Sequence, residues 1–458
     1  MAESIAGAVS RIKDDLAAAL HPAAVARVCR ELGHDWRERE LDPATTVALF
    51  VQQVLHGNCP CSEVRHLAAA GAAGGGRSFT ASAYCQARAR LPLAVYQSLL
   101  TDVCDAALPA TRQECHLWLG RNRTFLIDGS TFSMPDTPGL RKAFGVPAGQ
   151  KAGCIFPVAH LLVLFSAATG LLLDAAASPL YTGDVSGAAD LHPHLGAGDV
   201  LVGDDSFGTY AHLALLLREN LHGLFPVHHA RIVDFTPGRP HTCEGKGAVP
   251  GIPRSRWVKS LGKDDQLVEW LKPKTRPQWM SKAAYDALPD SITVREVRRT
   301  VRRPGLGSVT LTMVTTLTDP KAYPARALLD LRLRRWDVET DLAHLKTTMK
   351  MDVLRCKTEQ GVRKELAVFC LVYNLVRVVV LEAARRQEVP VSRISFADAL
   401  RWARHARAGS PMPHLIVNPH RPNRAEPRCR KRRPKEYALM NRPRAELRKR
   451  LKNQRKNA

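Results

Sequence analysis

Acid is what this chain has least of relative to its opposite. It carries 43 Asp and Glu against 67 Lys and Arg, a formal net charge of +24 and a pI near 9.9. That imbalance favours a polyanionic partner, either nucleic acid or an anionic membrane surface. The surplus is uneven, with 16 Lys or Arg and three Glu between Arg421 and Ala458, about half of the whole excess. Paired cysteines are also lacking. The 11 Cys are odd in number, scattered from Cys29 to Cys429 and never spaced CxxC, and Cys59 and Cys61 are separated by one Pro. This gives little support to a disulfide framework or a zinc site and fits free thiols in a reducing cytoplasm. The N-terminal MAESIAGAVSRIKDDLAAAL places Asp14 and Asp15 in an amphipathic pattern and does not read as a signal peptide. Long uncharged runs are scarce; the exception, Ala152 to Leu173, has no Asp, Glu, Lys or Arg. Pro157, His160 and Ala168-Thr169-Gly170 interrupt it, so two buried strands joined by a hairpin are expected rather than a membrane span. There is no internal repeat. A hydrophobic content of 45% is ordinary for a globular protein, and the length suggests about three domains.

Periodicity divides the chain. Residues 1–118 read as helical, with candidate helices at Thr45–Leu55, Ser62–Ala70, Thr80–Arg90 and Leu91–Leu108. The glycine-rich AGAAGGGRS lies between the second and third. Two readings stand side by side: a helix-turn-helix-like element presenting Tyr84, Gln86, Arg88 and Arg90, or a plain helical bundle with a flexible loop. Residues 119–230 change character. Thr124–Asp128, Cys154–Ser166, Leu171–Ala177, Val200–Gly203 and His222–His228 read as strands and Tyr210–Asn220 as a helix, the order of a ribonuclease-H-like sheet. Residues 231–330 are rich in Pro, Gly, Arg and Lys, with strands at Gln266–Leu271, Ile292–Val301 and Ser308–Leu317, and read as a β-rich insertion. Residues 331–405 resume the core with a helix from Arg335 to Met349 and another from Val362 to Arg385. Residues 406–458 form a basic tail. The expected fold class is thus α/β, a ribonuclease-H-like core with a β-rich insertion behind an all-α N-terminal domain.

Three carboxylates carry the candidate chemistry. Asp128 in FLIDGSTF reads as the end of an apolar strand, followed by Gly129, which leaves the carboxylate clear of a neighbouring side chain; a turn-forming Asp-Gly is the bland alternative. Ser130 and Thr131 could add hydrogen bonds. In LVGDDSFG, Asp204 is the first residue past the apolar run and is preferred to Asp205, since adjacent residues of a continuing strand point apart. Glu339 lies in RWDVETDLAHLK, where a helix places Trp336, Glu339 and Lys346 on one side and Val338, Leu342, Leu345 and Met349 on an apolar stripe. Glu339 and Lys346 could equally be a solvated face, and Trp336 a partly buried core residue. Three carboxylates on two strands and a helix can hold two divalent metals for phosphodiester cleavage. Arg335 and Lys346 can meet phosphate oxygens, and Trp336 can stack on a base.

This conjunction resembles the DDE transposases of bacterial insertion sequences, specifically the insertion-element-four family with its Tyr-Arg-Glu-Lys signature. Arg335, Glu339 and Lys346 fit its spacing, while the Tyr position holds Arg332. The family's second Asp sits in Asp-Arg-x-Phe; here the residues are Asp204, Asp205, Ser206 and Phe207. The later RKELAVFCLVYNLVR, with Tyr373 and Asn374, and more weakly TASAYCQARARLP, continue the resemblance, which covers residues 120–385 well. It implies that Asp128, Asp204 and Glu339 are catalytic and hold two Mg²⁺ ions, for which Mn²⁺ can substitute, and that Arg332, Arg335, Trp336 and Lys346 contact DNA. It also implies cleavage at the element ends, in some members through a hairpin with a flipped base, and 3′-hydroxyl strand transfer into target DNA. Terminal inverted repeats and target DNA would be the partners, with no membrane, in a homodimer or higher synaptic complex. Trp257, Trp270 and Trp279 are further candidates for a flipped base. The expected location is the cytoplasm, at the nucleoid. Arg332 and Asp205 leave open a relic that binds DNA without cutting, and a ribonuclease-H-like nuclease that cuts without joining is a third reading.

Overall fold

A computed structural model describes residues 20–71, 79–107, 117–148, 156–242, 250–303, 307–405 and 412–419, with short pieces from 445. The N-terminal amphipathic stretch, the glycine-rich 72–78 and most of the basic tail lie outside the described residues.

Among the described residues five helices come first: α1 (Pro22–Glu31), α2 (Pro43–Leu55), α3 (Cys61–Gly71), α4 (Ala81–Arg90) and α5 (Leu93–Ala107). Their starts follow from local chemistry. Asp42 accepts the Thr45 N–H just before Pro43, and Thr80 accepts the Ala83 N–H, so side chains satisfy donors that a helix start leaves open. On α4, Tyr84 and Arg88 are buried while Gln86 and Arg90 are exposed. The first two are therefore core residues and not surface readers.

β1 (Thr124–Ser133), α6 (Pro138–Phe144), β2 (Val158–Ser166), β3 (Leu172–Pro179), α7 (Asp184–Leu191), β4 (Val200–Val202), α8 (Tyr210–Arg218) and β5 (His222–Pro226) follow. β1 pairs antiparallel with β2 and parallel with β4, and β4 pairs parallel with β5. The uncharged 152–173 run supplies β2 and the start of β3, which pair antiparallel as the hairpin reading expects. β6 (Arg256–Gly262), β7 (Asp265–Leu271), α9 (Lys282–Asp286), β8 (Ser291–Arg303) and β9 (Gly307–Thr315) come next. β9 pairs with β5, so these strands extend the same sheet into nine in the order β3-β2-β1-β4-β5-β9-β8-β7-β6. The segment read as an insertion thus prolongs the central sheet.

α10 (Ala325–Leu333) leads into α11 (Arg335–Ala343), which runs on as a π-helical turn over His344–Thr348; α12 (Glu359–Arg386) and α13 (Phe396–His405) complete the order. Both sheet faces are covered, which is why the central strands are continuous apolar runs. Leu126, Val200 and Val202 join one core with α2, α5, α11 and α12, while Phe125, Ile127 and Leu201 join another with α7, α8 and the β7–β9 region. α12 is long and apolar enough to cross a membrane, but 83% of its apolar window is buried inside the protein. It is the central core helix. The N-terminal helices pack onto it: Asn58 Nδ2 donates to Glu365 Oε1 at 2.6 Å and Lys364 Nζ to the Ala89 carbonyl at 2.8 Å.

Candidate active site

The site is built where β1 and β4 lie side by side. Leu126 pairs with Val202, and two residues further along each chain are Asp128 and Asp204. β1 does not stop at Asp128, as the sequence suggested, but continues to Ser133 because it also pairs along its length with β2. Asp128 shares the face of Leu126 and Ser130, toward α11, while Gly129 faces the other way. A Cβ at Gly129 would land on the carboxylate of Asp184, at the start of α7. Glycine there lets Asp184 approach closely and does not serve a turn; a larger residue would have to displace the Asp184 carboxylate. Asp184 in turn meets His160 Nε2 at 2.5 Å, a pair that sequence spacing did not reveal.

β4 ends at Val202, so Asp204 and Asp205 lie in a turn and not in a strand. Asp204 Oδ1 accepts from the Ser206 N–H at 2.9 Å and from its hydroxyl at 2.6 Å, leaving Oδ2 outside those two bonds. Asp204 is near enough to Asp128 to raise its pKa. Asp205 turns elsewhere: its carboxylate groups with His228 and His229, all three ligand atoms lying within 4.8 Å of one another.

α11 carries the third carboxylate. Val338, Leu342, Leu345 and Met349 are buried, so the apolar stripe docks the helix as the periodicity predicts. That docking aims Arg335 between two acids, with Nη1 3.3 Å from Asp128 Oδ2 and Nη2 2.5 Å from Glu339 Oε1. Lys346, in the π-helical turn, donates to Ser130 Oγ at 2.8 Å, whereas Thr131 is exposed. π-turns recur at functional sites because they re-aim side chains within a helix. Trp336 is 51% exposed, not a core residue. Arg332, at the end of α10, is half-buried; desolvation and the neighbouring Arg335 push its pKa down to about 10 against the pull of Asp204, Asp128 and Asp205. Its Nε is enclosed without a partner. Asp128 is pushed up to about 6, first by burial and then by Asp204 and Asp184, against Arg335 and the Gly129 N–H. Among the Trp of the β6–β9 region, Trp270 is excluded as a base platform, being fully buried with Nε1 bonded to the buried Glu296 at 2.9 Å.

Set against known families, residues 120–375, more than half of the chain, match the family described as Transposase DDE domain. The chain is a DDE transposase. It is 28% identical over 387 residues to "Transposase InsG for insertion sequence element IS4" of Escherichia coli (strain K12), covering 79% of each chain. This places the transposase with the insertion-element-four type. Among solved structures it resembles a piggyBac transposase in a synaptic complex with hairpin DNA, at TM-score 0.42 and 9% identity, covering 85% of this chain and 79% of that one. DDE transposases depend on divalent metal. The donor set suits one, being carboxylate oxygens, hard ligands for a hard cation. A half-buried Asp128 beside Asp204, with a guanidinium spanning it and Glu339, is a site where positive charge is in demand.

Proposed function

We propose that the DNA transposase acts through Asp128, Asp204 and Glu339 as catalytic ligands of two Mg²⁺ ions, for which Mn²⁺ can substitute. The observation that carries this reading is the single guanidinium of Arg335 joining Asp128 to Glu339 beside Asp204. Bound ions supply activation of water or a 3′-hydroxyl and charge neutralisation at the leaving oxygen. The chain's own residues do the positioning. Arg335, which would be freed from Asp128 and Glu339 were they to hold metal, Lys346 beside Ser130, and Arg332 contact phosphate oxygens. Trp336, exposed at the start of the same helix, stacks on a DNA base. The strand order β3-β2-β1-β4-β5 supports a ribonuclease-H-like core, which the β6–β9 strands extend along the DNA path.

The substrates are then the terminal inverted repeats and target DNA, with the helices before β1 recognising the repeats. Two ends must be joined, so the working form is a homodimer or higher synaptic complex, in the cytoplasm at the nucleoid. The test is incubation with DNA carrying the element ends, in Mg²⁺, Mn²⁺ or EDTA. Metal-dependent cuts at the element boundary and strand-transfer products are expected. Asp128→Ala, Asp204→Ala and Glu339→Ala should each abolish cutting and retain DNA binding, while Asp205→Ala should still cut at saturating DNA. Cleavage by Asp204→Ala but not Asp205→Ala would reverse that assignment. Binding without cutting in either metal would leave the relic reading instead.

A further inference from the structure

The grouping of Asp205 with His228 and His229 begins one residue past Asp204 and is chemically different from the three catalytic carboxylates. Among the described residues it is the one set of His, Cys, Asp and Glu side chains, three or more, whose ligand atoms all lie within 4.8 Å of one another. The two elements that supply it are held together. The turn after β4 closes with Gly208 N–H on the Asp205 carbonyl at 3.2 Å. A Cβ at Gly208 would come 2.8 Å from the Pro226 carbonyl, so this turn lies directly against the end of β5. Just beyond, Val227 N–H donates to the Thr312 carbonyl at 2.9 Å and Arg231 N–H to the His228 carbonyl at 2.8 Å, which fixes the backbone that presents both imidazoles. Their rings lie beside each other with centroids 4.1 Å apart. Asp205 is half-buried and both His are exposed, so the set is open to an incoming ion.

We propose that Asp205, His228 and His229 form an accessory site for a divalent transition metal such as Zn²⁺, Co²⁺ or Ni²⁺. Two imidazoles and one carboxylate are the donor set that borderline metals prefer over Mg²⁺, and three protein ligands leave coordination positions open to water or a phosphate oxygen. His228 gives up one exposed hydrogen bond, in which its Nδ1 accepts the Ala230 N–H at 3.2 Å. The consequence for DNA is a reversal of charge. Asp205 alone repels phosphate, and its neighbour His228 lines a cleft of about 770 Å³ together with Arg231, Arg254, Lys272 and Lys274. With a divalent ion and two neutral imidazoles the same position becomes net positive. The family pattern has Arg at this place, so the ion supplies by coordination the positive charge that the sequence replaced with Asp. The metal site does not depend on the catalytic assignment, and its test reads binding rather than cleavage.

The full-length protein, stripped with EDTA and dialysed, is titrated with Co²⁺ and followed by absorption. Uptake of one ion with visible d–d bands and no near-ultraviolet thiolate charge-transfer band is expected. The His228→Asn/His229→Asn variant should lose these bands. Asp128→Asn should keep them, and excess Mg²⁺ should not displace the ion. In parallel, anisotropy of a labelled duplex in Ca²⁺-containing buffer should show tighter binding on adding Co²⁺ to the wild type. The gain should be absent in the double His variant and built in without Co²⁺ in Asp205→Arg. Unchanged bands in the double His variant, a thiolate band, or no uptake at tenfold excess Co²⁺ would each overturn the site. Co²⁺ uptake without any change in DNA affinity would overturn its role at phosphate. Circular dichroism of the double variant guards against unfolding, and both substituted side chains are exposed.

Discussion

Asp128 pays for its position in a way that can be measured. Its carboxyl is pushed up from 3.8 to about 6, chiefly because it is buried. A carboxyl that holds its proton more tightly folded than unfolded contributes stability below its unfolded pKa. That contribution disappears as pH rises through about 6. A shift of this size corresponds to on the order of 3 kcal/mol. In EDTA, metal-free protein should therefore lose stability between about pH 4 and pH 6 through this residue. Asp128→Asn should flatten that part of the pH profile and raise the neutral-pH denaturation midpoint while removing cleavage. Denaturant unfolding of both proteins from pH 4 to pH 7.5 checks this; parallel profiles would show that Asp128 is not held protonated by its surroundings. The carboxylate itself was legible in the sequence, because an apolar run ending in Asp-Gly is visible without coordinates. The burden it carries was not, because Asp184 and Arg335 reach it from other elements across long stretches of chain.

At the scale of elements, Asn374 shows what a helix does for a sheet. It sits fully buried on α12 and bonds both polar groups of Leu172 on β3: its Nδ2 donates to the carbonyl at 2.7 Å and its Oδ1 accepts the N–H at 2.8 Å. The amide thus imitates a strand partner where β3 begins. Next to it, the Tyr373 hydroxyl donates to the Gly170 carbonyl at 3.0 Å, tying down the hairpin between β2 and β3. Asn374→Leu should leave the buried Leu172 N–H without this partner and its carbonyl with only the weak Cys104 thiol donor at 3.3 Å, and lower stability by about 1–3 kcal/mol. The measurement is chemical denaturation, and a loss below about 1 kcal/mol would mean that the backbone pairs elsewhere. Tyr373 and Asn374 belong to the sequence resemblance, but their role needs the third dimension. The same distinction separates what could be read from what could not. Helices with caps and apolar stripes, such as α2 and α12, stand close to their expected bounds. α7 and α10 went unread, and so did β6, whose mostly exposed residues lack the alternation that marks a half-buried strand. The joining of β9 to β5 is a pairing between segments far apart in the chain, which no local pattern encodes.

For the molecule as a whole the dominant quantity is charge. A net +24 opposes compactness through self-repulsion and is sustained because much of it lies toward one end, with 16 Lys or Arg and three Glu after position 420. Among the described residues the members of the two cores end at Leu415 in the larger and at Val314 in the smaller, before those cations begin. Their contribution to DNA is therefore expected to be sequence-independent phosphate binding with release of counterions. Truncation after His420 should leave the unfolding midpoint of the remainder unchanged within error and weaken duplex binding at low salt. It should also make the slope of log K against log salt shallower by several, at about 0.9 for each phosphate that the basic segment neutralises in the full-length protein. The preference for element ends over random duplex should survive, because we propose that the helices before β1 carry end recognition. Fluorescence anisotropy across a salt series with both duplexes decides it. An unchanged slope would place phosphate binding on the folded body, and a vanished preference would move end recognition into the basic segment.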